Sequence, residues 1–127
     1  MPIITIESSI HLAPEARTTA LRTLVETVND LLAIAPPTQL RLRIADVPHG
    51  SMAIGAMGST NDEPWIVAYA HVLAGRSDAQ IERFMIEFAE AISDLFAVDV
   101  SHVRVLVHAY EKQYWQIGRR SAAAAGR

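Results

Sequence analysis

The chain has 127 residues, 50% of them apolar and 20% charged, a length that suits one domain with its own core. It contains no cysteine, which excludes disulfide scaffolds, thiolate metal sites and cysteine nucleophiles. A formal charge of −3 and a pI near 5.9 argue against nucleic acid as a partner, because such domains carry a basic patch. No stretch reaches the roughly 18 uninterrupted apolar residues of a membrane span. The opening Met1-Pro2-Ile3-Ile4-Thr5-Ile6 lacks the basic region and cleavage site of a signal peptide. No membrane partner and a cytoplasmic location are therefore expected.

A strand is predicted over residues 3–7, directly after Pro2. A helix follows over residues 14–33, with Leu21, Leu24, Val25, Val28, Leu31 and Leu32 on one face of a 3.6-residue period. Pro14 suits its first turn, and Pro36-Pro37 stops it. A second strand is predicted over residues 40–47, where Leu40, Leu42 and Ile44 alternate with Arg41, Arg43 and Ala45. The series then recurs. Residues 65–73 are rich in aromatic and β-branched side chains and read as a strand. Ser77-Asp78-Ala79-Gln80 is a capping box opening a helix whose apolar face includes Ile81, Phe84, Met85, Phe88, Ile92 and Phe96. Residues 103–109 form the last long strand. Tyr114-Trp115-Gln116-Ile117-Gly118 suggests a hairpin.

The two halves superpose by subtraction. Leu21, Leu24, Val28, Leu31 and Leu32 map onto Met85, Phe88, Ile92, Leu95 and Phe96 at an offset of 64. Arg41, Ile44, Met52, Ile54 and Gly55 map onto Arg104, Val107, Trp115, Ile117 and Gly118 at 63. The change of one residue falls in the Pro36-Pro37 loop, where an insertion costs little. The chain thus divides into one repeat over 2–57, a second over 64–120 and a low-complexity tail over 121–127, all within a single domain spanning 1–127. The polar stretch 58–62 reads as the linker. The tail is expected to be a frayed helix or disordered, without chemistry. Two strand–helix–strand units with right-handed crossovers give an α+β fold: a four-stranded mixed sheet with both helices on one face. The other face is too apolar for water, and a homo-oligomer would cover it.

Pro2 is the first chemical candidate. Removal of Met1 leaves a free secondary amine, a base that no other protein group supplies. An apolar pocket and nearby arginines disfavour its charged form and tune it toward neutrality. Were Met1 retained, the nitrogen would be an amide and no base. The plain alternative is a proline tolerated at a strand start. Arg76, just before the second helix, is placed to share an anion with that helix's N-terminus. Arg41 and Arg43 share a strand face, and guanidinium groups bind carboxylates bidentately; which of the two faces a site is left open. Trp115 fits an apolar pocket wall or a subunit contact equally well. No histidine spacing supports a metal site, and no glycine-rich phosphate loop is present.

Together these residues resemble the tautomerase superfamily. Gly75-Arg76-Ser77-Asp78-Ala79-Gln80, Ser101-His102-Val103-Arg104-Val105 and Trp115-Gln116-Ile117-Gly118 are similar to stretches of 4-oxalocrotonate tautomerase, and Pro64 stands where that short enzyme has its amino-terminal proline. The first half looks like a diverged copy keeping Met1-Pro2 and Arg41. The resemblance implies a fused two-repeat tautomerase that forms homotrimers and uses no cofactor or metal. It implies keto–enol tautomerisation or double-bond isomerisation of a small 2-oxo or 2-hydroxy-dienoic carboxylic acid. Pro2 would be the general base and Arg76 would hold the substrate carboxylate. Arg41 or Arg43 would stabilise the enolate, with Trp115 at the pocket wall. Val72-Leu73-Ala74 lacks the arginine that acrylate hydratases and dehalogenases of this superfamily carry there, and the double arginine of the decarboxylases is also missing. The rival from another class is a non-catalytic ferredoxin-like module for ligand binding or oligomerisation, which has the same element order. In such a module Pro2 would be exposed and far from any arginine.

Overall fold

The structure, a computed structural model, describes residues 2–55 and 63–127. Met1 and the predicted linker 58–62 lie outside the described residues. The first unit is β1 (Ile3–Ser8), α1 (Pro14–Leu32) and β2 (Arg41–Asp46). The second is β3 (Ile66–Leu73), α2 (Asp78–Phe96) and β4 (Val103–Tyr110). A small hairpin, β5 (Gln116–Ile117) with β6 (Arg120–Ser121), follows.

The main sheet has the order β2-β1-β3-β4. Each unit contributes a parallel pair, and the units join through antiparallel β1 and β3. The repeat is visible in fine detail. Both helices have 19 residues and both end on an alanine in the left-handed region, Ala33 at φ 50° and Ala97 at φ 54°. Short 3₁₀ turns, Pro37–Gln39 and Val100–His102, precede β2 and β4. In the first unit Arg41 Nη1 donates to Thr38 O at 2.7 Å, and in the second Arg104 Nη1 donates to Ser101 O at 2.6 Å. The helix starts differ. Ser77 Oγ accepts from Gln80 N–H at 3.2 Å, as the capping box predicts, whereas Ala13 gives α1 no side-chain cap and Pro14 opens it.

Alternation along the strands separates the two sheet faces. Ile4 and Ile6 of β1 and Ile66, Ala68, Ala70 and Val72 of β3 are buried toward the helices. They pack against Leu24, Val28 and Leu32 of α1 and Phe84, Phe88, Ile92 and Phe96 of α2. Phe84 and Phe88 stack with ring centroids 5.1 Å apart. The opposite face carries no helix and leaves Ile3 46% and Leu106 53% exposed. No helix among the described residues is long and apolar enough to cross a membrane.

The tail differs from the expectation. It folds back in turns: Ala122 N–H donates to Trp115 O at 2.7 Å, Ala123 N–H to Lys112 O at 3.3 Å, and Ala122 is fully buried. Small alanine side chains let the backbone lie close against the hairpin, a packing that composition does not reveal.

Candidate active site

The sheet topology gathers the candidates. β1 is parallel to β2 and antiparallel to β3, and β3 is parallel to β4. The starts of β1 and β2 therefore share one sheet end with the finishes of β3 and β4. Pro2, Arg41, the β3–α2 turn holding Arg76 and the segment from Tyr110 to Trp115 all lie there.

Pro2 is fully buried, and its carbonyl accepts from Arg41 N–H at 3.0 Å. It shares the helix-facing alternation of Ile4 and Ile6. Arg41 and Arg43 both lie on the open face, since they pair with Ile3 and Thr5. Arg41 is the one at the Pro2 end. Arg43 stands two residues further along, with Nε donating to Thr5 Oγ1 at 3.2 Å.

Gly75 adopts φ 127°, a left-handed value that a side chain strains, and this turn carries the chain from β3 to Arg76. The Arg76 guanidinium meets the end of the other helix, not the start of α2. Its Nε and Nη2 donate to Leu32 O at 3.2 and 3.1 Å, and Nη1 donates to Leu73 O at 3.3 Å. Leu32 is the last residue of α1, so the cation satisfies a carbonyl at the negative end of that helix. Burial lowers the Arg76 pKa from its ordinary value, and a guanidinium stays charged regardless. Its five N–H groups are not exhausted by three bonds.

Arg76 lines a cavity of about 540 Å³ together with Leu73, Gln39, Gln80, Lys112 and Arg127. Its lining holds the cationic side chains of Arg76, Lys112 and Arg127. A second recess at the same sheet end, about 260 Å³, is lined by Ile3, His71, Tyr110, Tyr114, Trp115 and Gln116. Trp115 thus walls a largely aromatic recess. Pro2 lines neither cavity; its chain neighbour Ile3 lines the second. A third, about 230 Å³, lies at the opposite sheet end beside Pro64, His102 and Arg104. There the proline is internal and the repeat partner of the Gly-Arg-Ser turn is Leu12-Ala13-Pro14, so both the amine and the arginine are missing. Among the described residues no group of three or more His, Asp or Glu is placed to hold a metal ion.

A 2-hydroxymuconate tautomerase of Stutzerimonas stutzeri is 41% identical over 61 residues, which are 97% of that protein and 48% of this chain. The chain belongs to the tautomerase superfamily. No family model matches it. Among solved structures, a fused 4-OT described as a wild-type asymmetric trimer superposes with a TM-score of 0.87 at 22% identity, covering 98% of this chain and 99% of that one. A native fused 4-OT gives 0.87 at 19% identity over the same shares. At these identities the likeness establishes the fold: the two-unit tautomerase architecture, with a mixed sheet and both helices on one face. The relationship to a 2-hydroxymuconate tautomerase supports an enzyme over the non-catalytic ferredoxin-like alternative.

Sequence reasoning picks out Pro2, Arg41, Arg76 and Trp115, and the topology brings them to one end. It misses Lys112, in the short 3₁₀ turn after β4, and Arg127, in the folded tail, which both line the basic cavity, and the pair His71–Tyr110. No periodicity marks Lys112 or Arg127. The strand pairing Leu73↔Tyr110 is what sets Tyr110 diagonally across from His71.

Proposed function

We propose that the protein is a cofactor-independent tautomerase of a small 2-oxo or 2-hydroxy-dienoic carboxylic acid, with Pro2 as the amino-terminal general base after removal of Met1. The observation that carries this is the convergence of buried Pro2 with the cationic cavity of Arg76, Lys112 and Arg127 at one sheet end. The family relationship and the 2-hydroxymuconate tautomerase relative support the reaction class.

In this reading the substrate carboxylate sits in the basic cavity. The neutral Pro2 amine takes the proton of the 2-hydroxyl, and the O–H electrons become the carbonyl π bond. The C=C pair then takes a proton from the Pro2 ammonium at carbon, returning the base to its neutral form. Burial favours the uncharged amine that begins the cycle. Arg41, on the open face at the same end, stabilises negative charge as it develops on the substrate oxygen. The chemistry moves one proton and oxidises nothing, so it calls for no cofactor. A homotrimer would cover the exposed sheet face; the fused 4-OT neighbour described above is itself a trimer.

The test has two parts: amino-terminal sequencing, and turnover of 2-hydroxymuconate and phenylenolpyruvate. The reading predicts a sequence beginning at Pro2 and acceleration of at least one enol. Retained Met1, or no acceleration of either enol, would contradict it.

A further inference from the structure

The segment over residues 121–127 docks on the hairpin, and its docking reaches into the basic cavity. Ala122 is fully buried, yet it does not belong to the core between the sheet and the helices. Its N–H donates to Trp115 O at 2.7 Å. Ala123 N–H donates to Lys112 O at 3.3 Å, and the same carbonyl accepts from Trp115 N–H at 3.4 Å. Two backbone bonds thus tie the segment to the short turn Lys112–Tyr114 and to the residue after it.

Beyond this clip the segment closes on itself. Ala125 N–H donates to Ser121 O at 2.9 Å, Ala124 N–H to Ser121 Oγ at 3.1 Å and Arg127 N–H to Ala122 O at 2.9 Å. Gly126 stands at φ 74°, a left-handed value at which a side chain is strained. The reversal there brings Gly126 and Arg127 into the wall of the 540 Å³ cavity, beside Arg76 and Lys112. Of these cationic side chains, Arg76 is set by the turn between β3 and α2. Arg127 is placed by the folded segment, and Lys112 sits on the turn that the segment ties down.

We propose that residues 121–127 form a strap that completes the carboxylate site, with Ala122 and Gly126 as positioning residues that act through Arg127. The inference rests on the proposed tautomerase reading, which puts the substrate carboxylate in this cavity, and adds a second source of binding to Arg76. A guanidinium has five N–H groups, so Arg127 serves an anion alongside its other partners. The strap also explains the alanines. A larger side chain at position 122 would overpack a fully buried site and drive the strap off the hairpin, while leaving the core between sheet and helices untouched.

Isothermal titration with sorbate, an unreactive dienoic monocarboxylate, tests this without proton transfer. Arg127→Gln should weaken sorbate binding about 3- to 10-fold, between an exposed ion pair and a charge-assisted hydrogen bond, with the melting temperature close to that of the wild type. Ala122→Leu should weaken it at least as much. The double variant Ala122→Leu/Arg127→Gln should bind no more weakly than Ala122→Leu alone, because a displaced strap has no Arg127 contact left to lose. Gly126→Ala, alone and combined with Arg127→Gln, makes the same comparison if Ala122→Leu does not fold. Unchanged affinity in Arg127→Gln, losses that add in the double variants, or no sorbate binding by the wild type would overturn the assignment. A protein that binds sorbate in the expected pattern but turns over no enol would leave the strap standing and remove only the tautomerase reading.

Discussion

At the scale of single residues, Arg76 serves two partners. Its guanidinium fastens the last carbonyl of α1 to the end of β3, and it faces a cavity with Lys112 and Arg127. Arg76→Ala should therefore act twice. Loss of a charge-assisted contact to the substrate carboxylate should lower kcat/KM about 10- to 100-fold, the range for bonds worth about 1.5–3 kcal/mol. Loss of the bonds to Leu32 O and Leu73 O should lower the melting temperature as well. Steady-state kinetics and thermal unfolding read the two effects separately, and a variant that melts earlier with unchanged kinetics would confine Arg76 to a structural role. The motif Gly75-Arg76-Ser77 makes this residue legible in the sequence, because a cation ahead of a capped helix has a physical rationale. Its attachment to α1 is not legible there. Leu32 lies 44 positions away, and only the packing of the two helices brings the carbonyl within reach.

At the scale of elements, the repeat reveals both what the sequence specifies and what it leaves out. Helix faces, strand alternation and the Ser77 cap follow from local spacing, and the observed elements agree with the predicted ones to within a residue or two. The helix C-termini are less obvious. Ala33 and Ala97 both sit in the left-handed region at φ 50° and 54°, where glycine is the usual occupant. A left-handed alanine costs roughly 1–2 kcal/mol, offset in part by the greater freedom of an unfolded glycine. Ala97→Gly, at an exposed position, should therefore stabilise the fold by up to about 1 kcal/mol. Chemical denaturation would show this as a higher midpoint with the same slope; a lower midpoint would mean that the cap is not strained. The tail is hidden for a related reason. A run of alanine carries no periodicity, so nothing local announces that Ala122 is buried or that Arg127 reaches the basic cavity.

At the scale of the whole molecule, the uneven treatment of the two sheet faces decides the behaviour. One face is buried under both helices. The other exposes Leu106 and Ile3, with Trp65 at its margin, and contains the aromatic recess. The surplus of apolar residues in the composition is accounted for if copies of the chain pack on this face. Light scattering should then give three times the mass of one chain, and Leu106→Glu should shift the population toward smaller species while leaving the secondary structure intact. A monomeric wild type would contradict the proposed trimer. The same view gives the reason why the proposed function assigns the chemistry to one sheet end and not to the other. The repeat sets a proline and an arginine-bearing strand start at each end, but only Pro2 has a nitrogen that removal of Met1 can free, and only its end has Arg76. The central claim is therefore that proton transfer depends on the Pro2 amine. The most direct measurement is the rate of phenylenolpyruvate ketonisation by Pro2→Ala beside the wild type. Loss of a positioned general base should lower kcat by about 10²- to 10⁴-fold with the fold intact by circular dichroism. An unchanged kcat would contradict the claim.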